Sequence, residues 1–378
     1  MEELLRGVMG MTYQSAIMLA IGGVLIYLAI AKEYEPVLLL PMGFGCILAN
    51  IPFSSAVGTV GVGVEAMQGA LTVLYKFGIE TELFPLLIFV AIGAMIDFGP
   101  LLKNPRMLLF GGAAQFGIFF TITLAAFMGF TLKEAAAIGI IGAADGPTSI
   151  FVAKQFAPHY LAQISVAAYS YMALVPIIQP PVMRLLTTKA ERMIKMPYEE
   201  HGISKTVLVL FPVLVTIFAG ILVPESVALV GFLMFGNLLR VSGVTEGLSR
   251  TAQNELANLV TILLGITIGG IMTADIFLKK ETLFILVMGL FAFVFDTAGG
   301  ILFAKGMNVF SKNKINPLVG AAGISAFPMS ARVVQREAQK ADPQNFILMH
   351  SISANVGGQI GSIIAGGLVL ALVKSLVG

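Results

Sequence analysis

The chain has 378 residues, of which 57% are hydrophobic and only 12% are charged. Soluble domains carry about 25% charged residues, so this composition indicates an integral membrane protein with many spans. Lys and Arg total 23 against 21 Asp and Glu, and the net charge of +2 lacks the basic excess of a nucleic-acid-binding protein. The single cysteine, Cys46, excludes a disulfide within the chain, and the three histidines are too scattered to predict a metal site.

The first apolar run covers residues 11–31 and is about 20 residues long, enough to cross the hydrocarbon core of a bilayer. The mixed-charge segment MEELLRGVMG precedes it and KEYEP follows it. These flanks lack the basic start and the small-residue cleavage pattern of a signal peptide. We therefore expect residues 1–34 to contain an N-terminal transmembrane helix.

Further apolar runs alternate with short charged segments along the rest of the chain. Two of these runs, 135–153 and 318–330, are short, rich in Gly and interrupted by Pro. Lipid offers no hydrogen bonds, so backbone that is broken at membrane depth must be buried in protein or line a watered cavity. We expect two re-entrant hairpins, around residues 136–157 and 316–331.

A basic segment at residues 187–205 divides the chain near its middle, and the positive-inside rule places it in the cytoplasm. Similar motifs recur in the same order on either side of it: FGCIL and FGNLL, IGAM and GGIM, and IGAA and VGAA. The sequence therefore predicts two membrane repeats, residues 35–190 and 206–378, joined by a cytoplasmic linker at 191–205. An odd number of spans in each repeat makes the two halves inverted, as in secondary transporters.

The predicted fold is an all-α polytopic membrane protein of transporter type. It contains two inverted repeats whose broken-helix, re-entrant hairpins meet near the middle of the membrane. One part of such a fold can move against the other in an elevator or rocking mode, with ligands shifting the populations.

Asp145 is the outstanding candidate for a functional residue. It is a carboxylate inside the apolar segment IGIIGAADGPTSIF, where an unpaired charge is costly and a bound cation removes most of that cost. The Gly-Pro break frees backbone carbonyls, and Thr148 and Ser149 add hydroxyls. Such oxygen ligands suit a hard cation such as Na⁺. The alternative is a structural aspartate that is protonated or paired internally.

The second broken segment, NPLVGAAGISAFPMSAR, has no carboxylate and offers neutral groups on Asn316, Gly320 and Ser325. The repeat places Ser325 close to Asp145 if the two breaks face each other. Arg332 either holds an anion or carboxylate through its guanidinium or snorkels to the membrane interface.

Four further polar residues lie in or beside apolar segments. Tyr171 and Asn355 belong either to a site or to hydrogen-bonded helix packing. Asp97 precedes Gly-Pro at a predicted helix end, which favours a local capping role. Asp296, in FVFDTAGG, remains open between a structural and a functional role.

Two function classes are compatible with these residues. The chain lacks a Gly-x-x-x-x-Gly-Lys-Ser/Thr phosphate loop, so we do not expect it to drive itself with ATP. A Na⁺-coupled secondary transporter of a small carboxylate, without covalent chemistry, is compatible with the broken helices, Asp145 and Arg332. The other class follows from a resemblance.

Five segments resemble the β subunit of the sodium-pumping biotin-dependent decarboxylases, which act on oxaloacetate, methylmalonyl-CoA or glutaconyl-CoA. The segments are GIIGAADGPTSIFVA, EYEPVLLLPMGFG, AMIDFGPLLKNP, NPLVGAAGISAFPMSARVVQ and DPQNFILMHSISANVGGQIGS. The resemblance implies an enzyme that decarboxylates carboxybiotin and couples this reaction to Na⁺ export with consumption of a proton. The absence of a long insertion between the halves resembles the CoA-thioester members.

The resemblance also implies partners and a location. A carboxyltransferase (α) subunit loads biotin on a biotin carrier protein, and the carrier presents carboxybiotin to this chain. A small membrane-anchor subunit completes an oligomeric complex. The chain is then a multi-pass protein of the cell inner (cytoplasmic) membrane.

The resemblance further implies a role for each matching residue. Asp145 matches the Na⁺-binding aspartate, with Asn316 and Gly320 as its companions in a first site. Tyr171 and Ser325 match a second site that also handles carboxybiotin and the proton. The implied catalytic residues are Tyr171, Ser325 and Arg332, and these three bind carboxybiotin together with Asn355. The implied Na⁺ ligands are Asp145, Asn316, Gly320, Tyr171, Ser325, Thr148 and Asn355.

Overall fold

The computed structural model describes residues 2–60, 67–197 and 202–377, and most of them are helical. The helices of the first half are α1 (Glu2–Met9), α2 (Tyr13–Ala31), α3 (Pro36–Asn50), α4 (Ala70–Leu74), α5 (Leu83–Met95), α6 (Gly99–Lys103), α7 (Leu108–Ala114), α8 (Phe116–Phe127), α9 (Leu132–Gly139), α10 (Gly146–Phe156), α11 (Leu161–Leu186) and α12 (Lys189–Arg192). Two-residue strands, β1 (Thr59–Val60) and β2 (Met67–Gln68), pair antiparallel.

The helices of the second half are α13 (Lys205–Leu222), α14 (Val227–Val241), α15 (Glu246–Thr251), α16 (Ala257–Gly270), α17 (Ala274–Phe277), α18 (Lys280–Phe310), α19 (Leu318–Ala321), α20 (Met329–Ala341) and α21 (Leu348–Val377). Short 3₁₀ segments occur at Pro105–Met107, Ile140–Ala143, Pro158–Tyr160 and Pro224–Ser226, and π-helical segments occur at Tyr75–Glu80 and Ala252–Leu256. The predicted linker at 191–205 includes residues 198–201, which lie outside the described residues.

Within the described ranges, seven helices are long and apolar enough to cross a membrane. They are Tyr13–Ala31, Pro105–Phe127, Pro158–Leu186, Lys205–Leu222, Pro224–Val241, Lys280–Phe310 and Leu348–Val377. An eighth candidate is the broken pair Ala70–Glu80 and Leu83–Met95, whose two parts are bent by 62°. The prediction of an all-α polytopic membrane protein is confirmed.

Two helix crossings join the halves, because α3 packs against α16 and α5 packs against α14. Glycine allows the backbones to touch at both crossings. A Cβ on Gly269 would lie 2.8 Å from the amide nitrogen of Cys46, and a Cβ on Gly93 would lie 3.1 Å from that of Asn237. Cys46 and Asn237 occupy the same position in the recurring FGCIL and FGNLL motifs, so the two crossings correspond when the halves are exchanged. An inverted repeat would produce this exchange, and the inversion stays a prediction.

The first hairpin, residues 131–156, consists of α9, a 3₁₀ turn and α10. A capping box starts α9, in which the Thr131 hydroxyl accepts from the Glu134 amide and the Glu134 carboxylate accepts from the Thr131 amide. The hairpin breaks at Ala144, whose left-handed φ of 51° ends the 3₁₀ turn. Asp145 is then the N-cap of α10. The break therefore sets the carboxylate at the start of a buried helix.

The second hairpin, residues 316–341, consists of α19, a broken segment and α20. The break ends at a cis peptide bond between Phe327 and Pro328. Gly320 packs on Gly300 of α18, and Gly323 packs on Phe110 of α7. Both hairpins pack against α11, α18 and α21; the first also packs against α8 and the second against α7, so the two breaks are buried in protein.

Candidate functional site

The side chain of Asp145 is buried and is held by neutral donor groups of three residues. Asp145 is 2% exposed. Its Oδ2 accepts hydrogen bonds from the hydroxyls of Thr148 and Ser362, each at 2.7 Å, and from the Gln359 amide at 3.3 Å. Its Oδ1 accepts from the Thr148 backbone amide at 3.4 Å. The carboxylate thus has hydrogen-bond partners but no counter-charge among the ion pairs of the described residues.

The last helix, α21, supplies two of these donors. Asn355, Gln359 and Ser362 follow one another at i, i+4 and i+7, which places them on one face of a helix. All three are buried. Gly358 lies beside this face, and a Cβ there would come within 3.0 Å of the Ile324 carbonyl oxygen. The small residue lets the second hairpin approach the polar face of α21.

The breaks of the two hairpins touch directly. The Ser325 amide donates to the Ala143 carbonyl at 3.0 Å. The Ser325 hydroxyl donates to the Gly358 carbonyl at 2.9 Å, and the Asn355 amide donates to the Ile324 carbonyl at 2.6 Å. Asp145, Ser325 and Asn355, which the sequence proposed as site residues, are therefore brought together with Thr148 around α21.

The donor set limits what this site can hold. The described residues contain no group of three or more His, Cys, Asp or Glu side chains that could bind a metal ion. Asp145 is surrounded by hydroxyl and amide groups. The side-chain oxygen of Asn355, Oδ1, is also buried, and it has no hydrogen-bond partner among the described residues. One carboxylate among neutral oxygens suits a hard monovalent cation better than a transition metal.

Two tyrosines of α11 lie on different sides of that helix. The Tyr169 ring packs on Gly146, where a Cβ would lie 2.7 Å from its Cε1, and the buried Tyr169 hydroxyl has no partner among the described residues. Tyr171, the residue proposed from the sequence, instead donates a hydrogen bond to the Leu286 carbonyl of α18. Tyr169 is thus the tyrosine that contacts the residue next to Asp145.

Asn316 and Gly320 lie in the first part of the second hairpin, before its break. The Asn316 amide donates to the carbonyls of Arg192 and Ile194, each at 2.9 Å, and its Oδ1 accepts from the Leu318 amide at 3.1 Å. These bonds tie the hairpin to the predicted linker. Gly320 contacts the backbone of Gly300. The structure does not bring either residue into the hydrogen-bonded shell of Asp145.

Arg332 lies on the exposed side of α20, and its charge faces Glu35 at the start of α3. Burial raises the pKa of Glu35, and the positive charge of Arg332 opposes that rise. A cavity of about 230 Å³ lies in the same region. Its lining includes Glu35, Tyr169, Gln253, Asn258, Thr261 and Phe327. Arg332 itself does not line this cavity and is not part of the Asp145 shell.

Sequence reasoning missed Gln359, Ser362 and Tyr169. The polar spacing in SANVGGQIGS was the available signal for the first two, because Asn355, Gln359 and Ser362 repeat at helical spacing in an otherwise apolar segment. Tyr169 stands two residues before Tyr171, and only the orientation of α11 distinguishes them.

Known proteins match nearly the whole chain. The family described as Na⁺-transporting oxaloacetate decarboxylase β subunit matches residues 14–373. Methylmalonyl-CoA decarboxylase subunit β of Veillonella parvula is 51% identical, over 98% of this chain and 96% of that protein. Glutaconyl-CoA decarboxylase subunit β of Acidaminococcus fermentans is 50% identical, over 97% and 95%. The oxaloacetate decarboxylase β chain of Klebsiella pneumoniae is 46% identical, over 98% of each chain.

Proposed function

Since the chain belongs to the family of Na⁺-transporting decarboxylase β subunits, we propose that it decarboxylates carboxybiotin and uses that reaction to export Na⁺. The observation that carries this proposal is Asp145, a buried carboxylate at a helix break with neutral donors on two neighbouring elements. A buried carboxylate without a counter-charge is a site that a cation can neutralise. Na⁺ is the cargo of this site.

Binding of Na⁺ at Asp145 requires a rearrangement of donors. The hydroxyls of Thr148 and Ser362 point their hydrogens at the carboxylate, and each must rotate to offer a lone pair to the ion. The Gln359 side chain must turn so that its oxygen replaces its amide nitrogen. The bound ion cancels the charge of Asp145, which lets the hairpins and α21 take a second arrangement that faces the other side of the membrane.

The decarboxylation step needs a proton. Loss of CO₂ from N-carboxylated biotin breaks a C–N bond and leaves the electron pair on a ureido nitrogen, which then takes the proton. A tyrosine hydroxyl can supply it by general acid catalysis, typically worth about 10²–10⁴-fold. Tyr171 is the residue proposed from the resemblance, with Ser325, Arg332 and Asn355 holding the substrate. Tyr169 is the competing donor, because its hydroxyl is unpartnered in the described chain.

The two tyrosines are distinguished by single substitutions. If Tyr171 is the donor, Tyr171→Phe slows CO₂ release by at least the lower figure of that range, about 10²-fold, and Tyr169→Phe leaves CO₂ release close to wild type. The reverse pattern assigns the proton to Tyr169. Equal, small effects of both would refute a tyrosine donor.

The acyl substrate of the complex is proposed to be a CoA thioester, methylmalonyl-CoA or glutaconyl-CoA. The relatives named for these substrates are 50–51% identical and align over 367–382 positions. The Klebsiella pneumoniae oxaloacetate relative aligns over 423 positions, more than the 378 residues of this chain. An alignment longer than this chain must place gaps in it. Such gaps are expected if this chain lacks a long insertion that the oxaloacetate relative has.

The complex is proposed to contain a carboxyltransferase (α) subunit, a biotin carrier protein and a small membrane-anchor subunit, assembled as an oligomer in the cell inner membrane. The relatives carry the word subunit or chain in their names, which supports an assembly of several chains. Basic residues of the segment 187–205 support a cytoplasmic position for the linker. The carrier would approach the membrane from that side.

The test is CO₂ release from the carboxylated carrier by the purified, full-length chain, with and without Na⁺. Release that depends on Na⁺ is the expected result. Absence of release from a folded preparation that binds Na⁺ would contradict the proposal and favour a Na⁺-coupled carboxylate transporter. Glu246→Gln serves as a control. The Glu246 side chain is 72% exposed, and its ion pair is with Arg250 of the same helix.

A further inference from the structure

A second aspartate, Asp296, is buried away from the Asp145 shell. It lies in the middle of α18, a 31-residue helix that is apolar and long enough to span a membrane, and its exposure is 0%. Its Oδ1 accepts a hydrogen bond from the Ile118 amide at 3.2 Å, and the Gly117 amide also donates to the carboxylate. These amides belong to the first turn of α8, so Asp296 caps that helix from a neighbouring element.

The other carboxylate oxygen faces the first hairpin. Oδ2 of Asp296 is buried and has no hydrogen-bond partner among the described residues. A Cβ on Gly142 would lie 2.7 Å from this oxygen and 2.7 Å from the Ala292 methyl carbon. The 3₁₀ turn that precedes Asp145 therefore lies against an unpartnered oxygen, and Gly142 leaves the space that a side chain would fill.

No charged group of the described chain pairs with Asp296. The facing helices α7, α8 and α19 contain no charged residue, and the one charged residue of the facing helix α11, Arg184, lies in its last turn and pairs with Glu337. The charged residues of α9, Lys133 and Glu134, lie in the first turn of that helix. The Glu134 carboxylate is hydrogen-bonded to Thr131 and His159. Tyr171 contacts α18 at Gly289 and Leu286, and Asp145 is bound by its own donors. The carboxyl group is left with helix amides on one oxygen and nothing on the other.

We propose that Asp296 is a proton-exchange site within the membrane, separate from the cation site at Asp145. The proton binds Oδ2 and forms an O–H bond when it arrives, and the site returns to a carboxylate when it leaves. The amides of Gly117 and Ile118 stabilise the ionised form, while the dry surroundings favour the neutral form. A site with support for both forms can exchange its proton.

A proton fits this position better than a metal ion. Na⁺ needs several oxygen ligands, as at Asp145, whereas the Asp296 Oδ2 has no hydrogen-bond partner among the described residues and faces Gly142, which has no side chain to offer. A proton needs only the one oxygen. Protonation also removes the negative charge that caps α8 and faces the turn before Asp145. The state of Asp296 thus acts on the position of the first hairpin, and this inference does not depend on carboxybiotin chemistry.

The small number of aspartates makes the site directly observable. The chain has five, namely Asp97, Asp145, Asp275, Asp296 and Asp342, and only Asp145 and Asp296 are buried. Solid-state ¹³C NMR of protein labelled at aspartate carboxyl carbons separates protonated from ionised groups. In an Asp145→Glu variant, the replaced carboxyl group is unlabelled, so Asp296 gives the only signal from a buried carboxyl.

The expected result is a buried signal that moves between its ionised and protonated positions as the pH is lowered, and that does not respond to Na⁺ at fixed pH. The signal disappears when Asp296→Asn is added to Asp145→Glu. In the single variant Asp296→Asn, which keeps Asp145, Na⁺ still raises the thermal stability. Asp275→Asn is the control, because it removes an exposed aspartate and leaves the buried signal in place.

Two results would overturn the proposal. A signal that keeps one form at every pH at which the protein is folded makes Asp296 a fixed structural group. A signal that shifts with Na⁺ makes it a metal site. If Asp145→Glu does not fold, the same titration in wild-type protein shows two buried signals, and only the one from Asp145 moves with Na⁺.

Discussion

The two hairpins contain matching motifs before their breaks, IGAA at 141–144 in the first and VGAA at 319–322 in the second, and they diverge after these motifs. In the first, Ala144 turns left-handed and Asp145 immediately caps α10. In the second, the helix gives way to a longer break that reaches Pro328 and presents Ser325 instead of a carboxylate. The two hairpins thus share a motif, and only the first carries a carboxylate at its break.

This asymmetry matters because the breaks are in contact. Ser325 donates its amide to Ala143, two residues before Asp145. A carboxylate in each break would place two negative charges together in a dry interior, where like charges repel strongly. One charged and one neutral break leave a single negative charge, which one monovalent ion balances. Gln359 and Ser362 of α21 complete the shell from a third element.

Removing the charge of the first hairpin is expected to have the largest effect. Asp145→Asn keeps the shape of the side chain but removes its charge, so Na⁺ binding should weaken by about 3 kcal/mol or more, at least a hundredfold. The rise of thermal stability with Na⁺ concentration measures this binding. The comparison between the hairpins would fail if Asp145→Asn bound Na⁺ normally and Ser325→Ala did not.

Matched glycines of the two hairpins give the next largest effect. An Ala at Gly320 would meet the backbone of α18, with its Cβ 2.9 Å from the Ile301 amide nitrogen, whereas an Ala at Gly142 would meet the Asp296 carboxylate and the Ala292 methyl group at 2.7 Å. Overpacking costs about 1–3 kcal/mol. We expect Gly320→Ala near the upper end of this range and Gly142→Ala nearer the lower end, because side-chain atoms give way more easily than backbone.

Thermal unfolding in detergent measures the difference between these variants. Gly112→Ala in α7 is the control, because nothing lies within 4 Å of its Cβ position and Ala favours a helix by about 0.5–1 kcal/mol. Equal stability of the Gly320→Ala and Gly112→Ala proteins would contradict the close packing of the second hairpin on α18.

The contribution of α21 is expected to be smaller. Ser362→Ala removes one hydroxyl that donates to Asp145 at 2.7 Å, which should weaken Na⁺ binding by about 1.4 kcal/mol, or tenfold. Ser353→Ala is the matched control, since Ser353 is buried on the same helix and donates only to the Met349 carbonyl. An Na⁺ affinity equal in the two variants would remove α21 from the site.

The last prediction concerns α20 of the second hairpin; it affects the stability of the fold and not the binding of Na⁺, and it depends on pH. Burial alone would raise the pKa of Glu337, but hydrogen bonds from Arg184 and Lys340 outweigh it and hold the pKa below its ordinary value of 4.5. The ionised group therefore stabilises the fold above that value, and the stabilisation disappears as the pH falls through the lowered pKa. Glu337→Gln should cost about 1 kcal/mol or less at neutral pH, because both of its partners, Arg184 and Lys340, are largely exposed.

Unfolding of Glu337→Gln and wild type across pH checks this sign. The two stabilities should converge in acid, where both side chains are neutral. A difference that stayed constant with pH would show that the ion pair with α11 does not anchor the hairpin. Glu246→Gln, on an exposed pair within α15, should leave the melting temperature unchanged.

The sequence was sufficient for the class of fold, and it singled out Asp145 as the main candidate for a functional residue. Apolar runs of spanning length predicted the membrane helices, because the hydrocarbon core fixes their length. The Gly-Pro break in an apolar run pointed to Asp145, because a charge at that depth is costly unless it serves a purpose. The recurring IGAA and VGAA motifs correctly brought Ser325 to the first hairpin.

The rest of the shell depended on packing between distant elements. Gln359 lies 214 residues from Asp145 in the chain, and no local pattern relates the two. The orientation of α11 decides that Tyr169 faces Gly146 while Tyr171 faces α18. The positions of Asn316 and Arg332 likewise depend on how the second hairpin packs against the linker and against the start of α3.

The most direct test of the coupling between Asp145 and decarboxylation is a ratio. Complexes reconstituted into vesicles are supplied with carboxylated carrier, and Na⁺ moved is counted against CO₂ released, for wild type and for Asp145→Asn. The account predicts a fixed ratio in wild type and the loss of both Na⁺ movement and CO₂ release in the variant. Normal CO₂ release without Na⁺ movement in Asp145→Asn would contradict it.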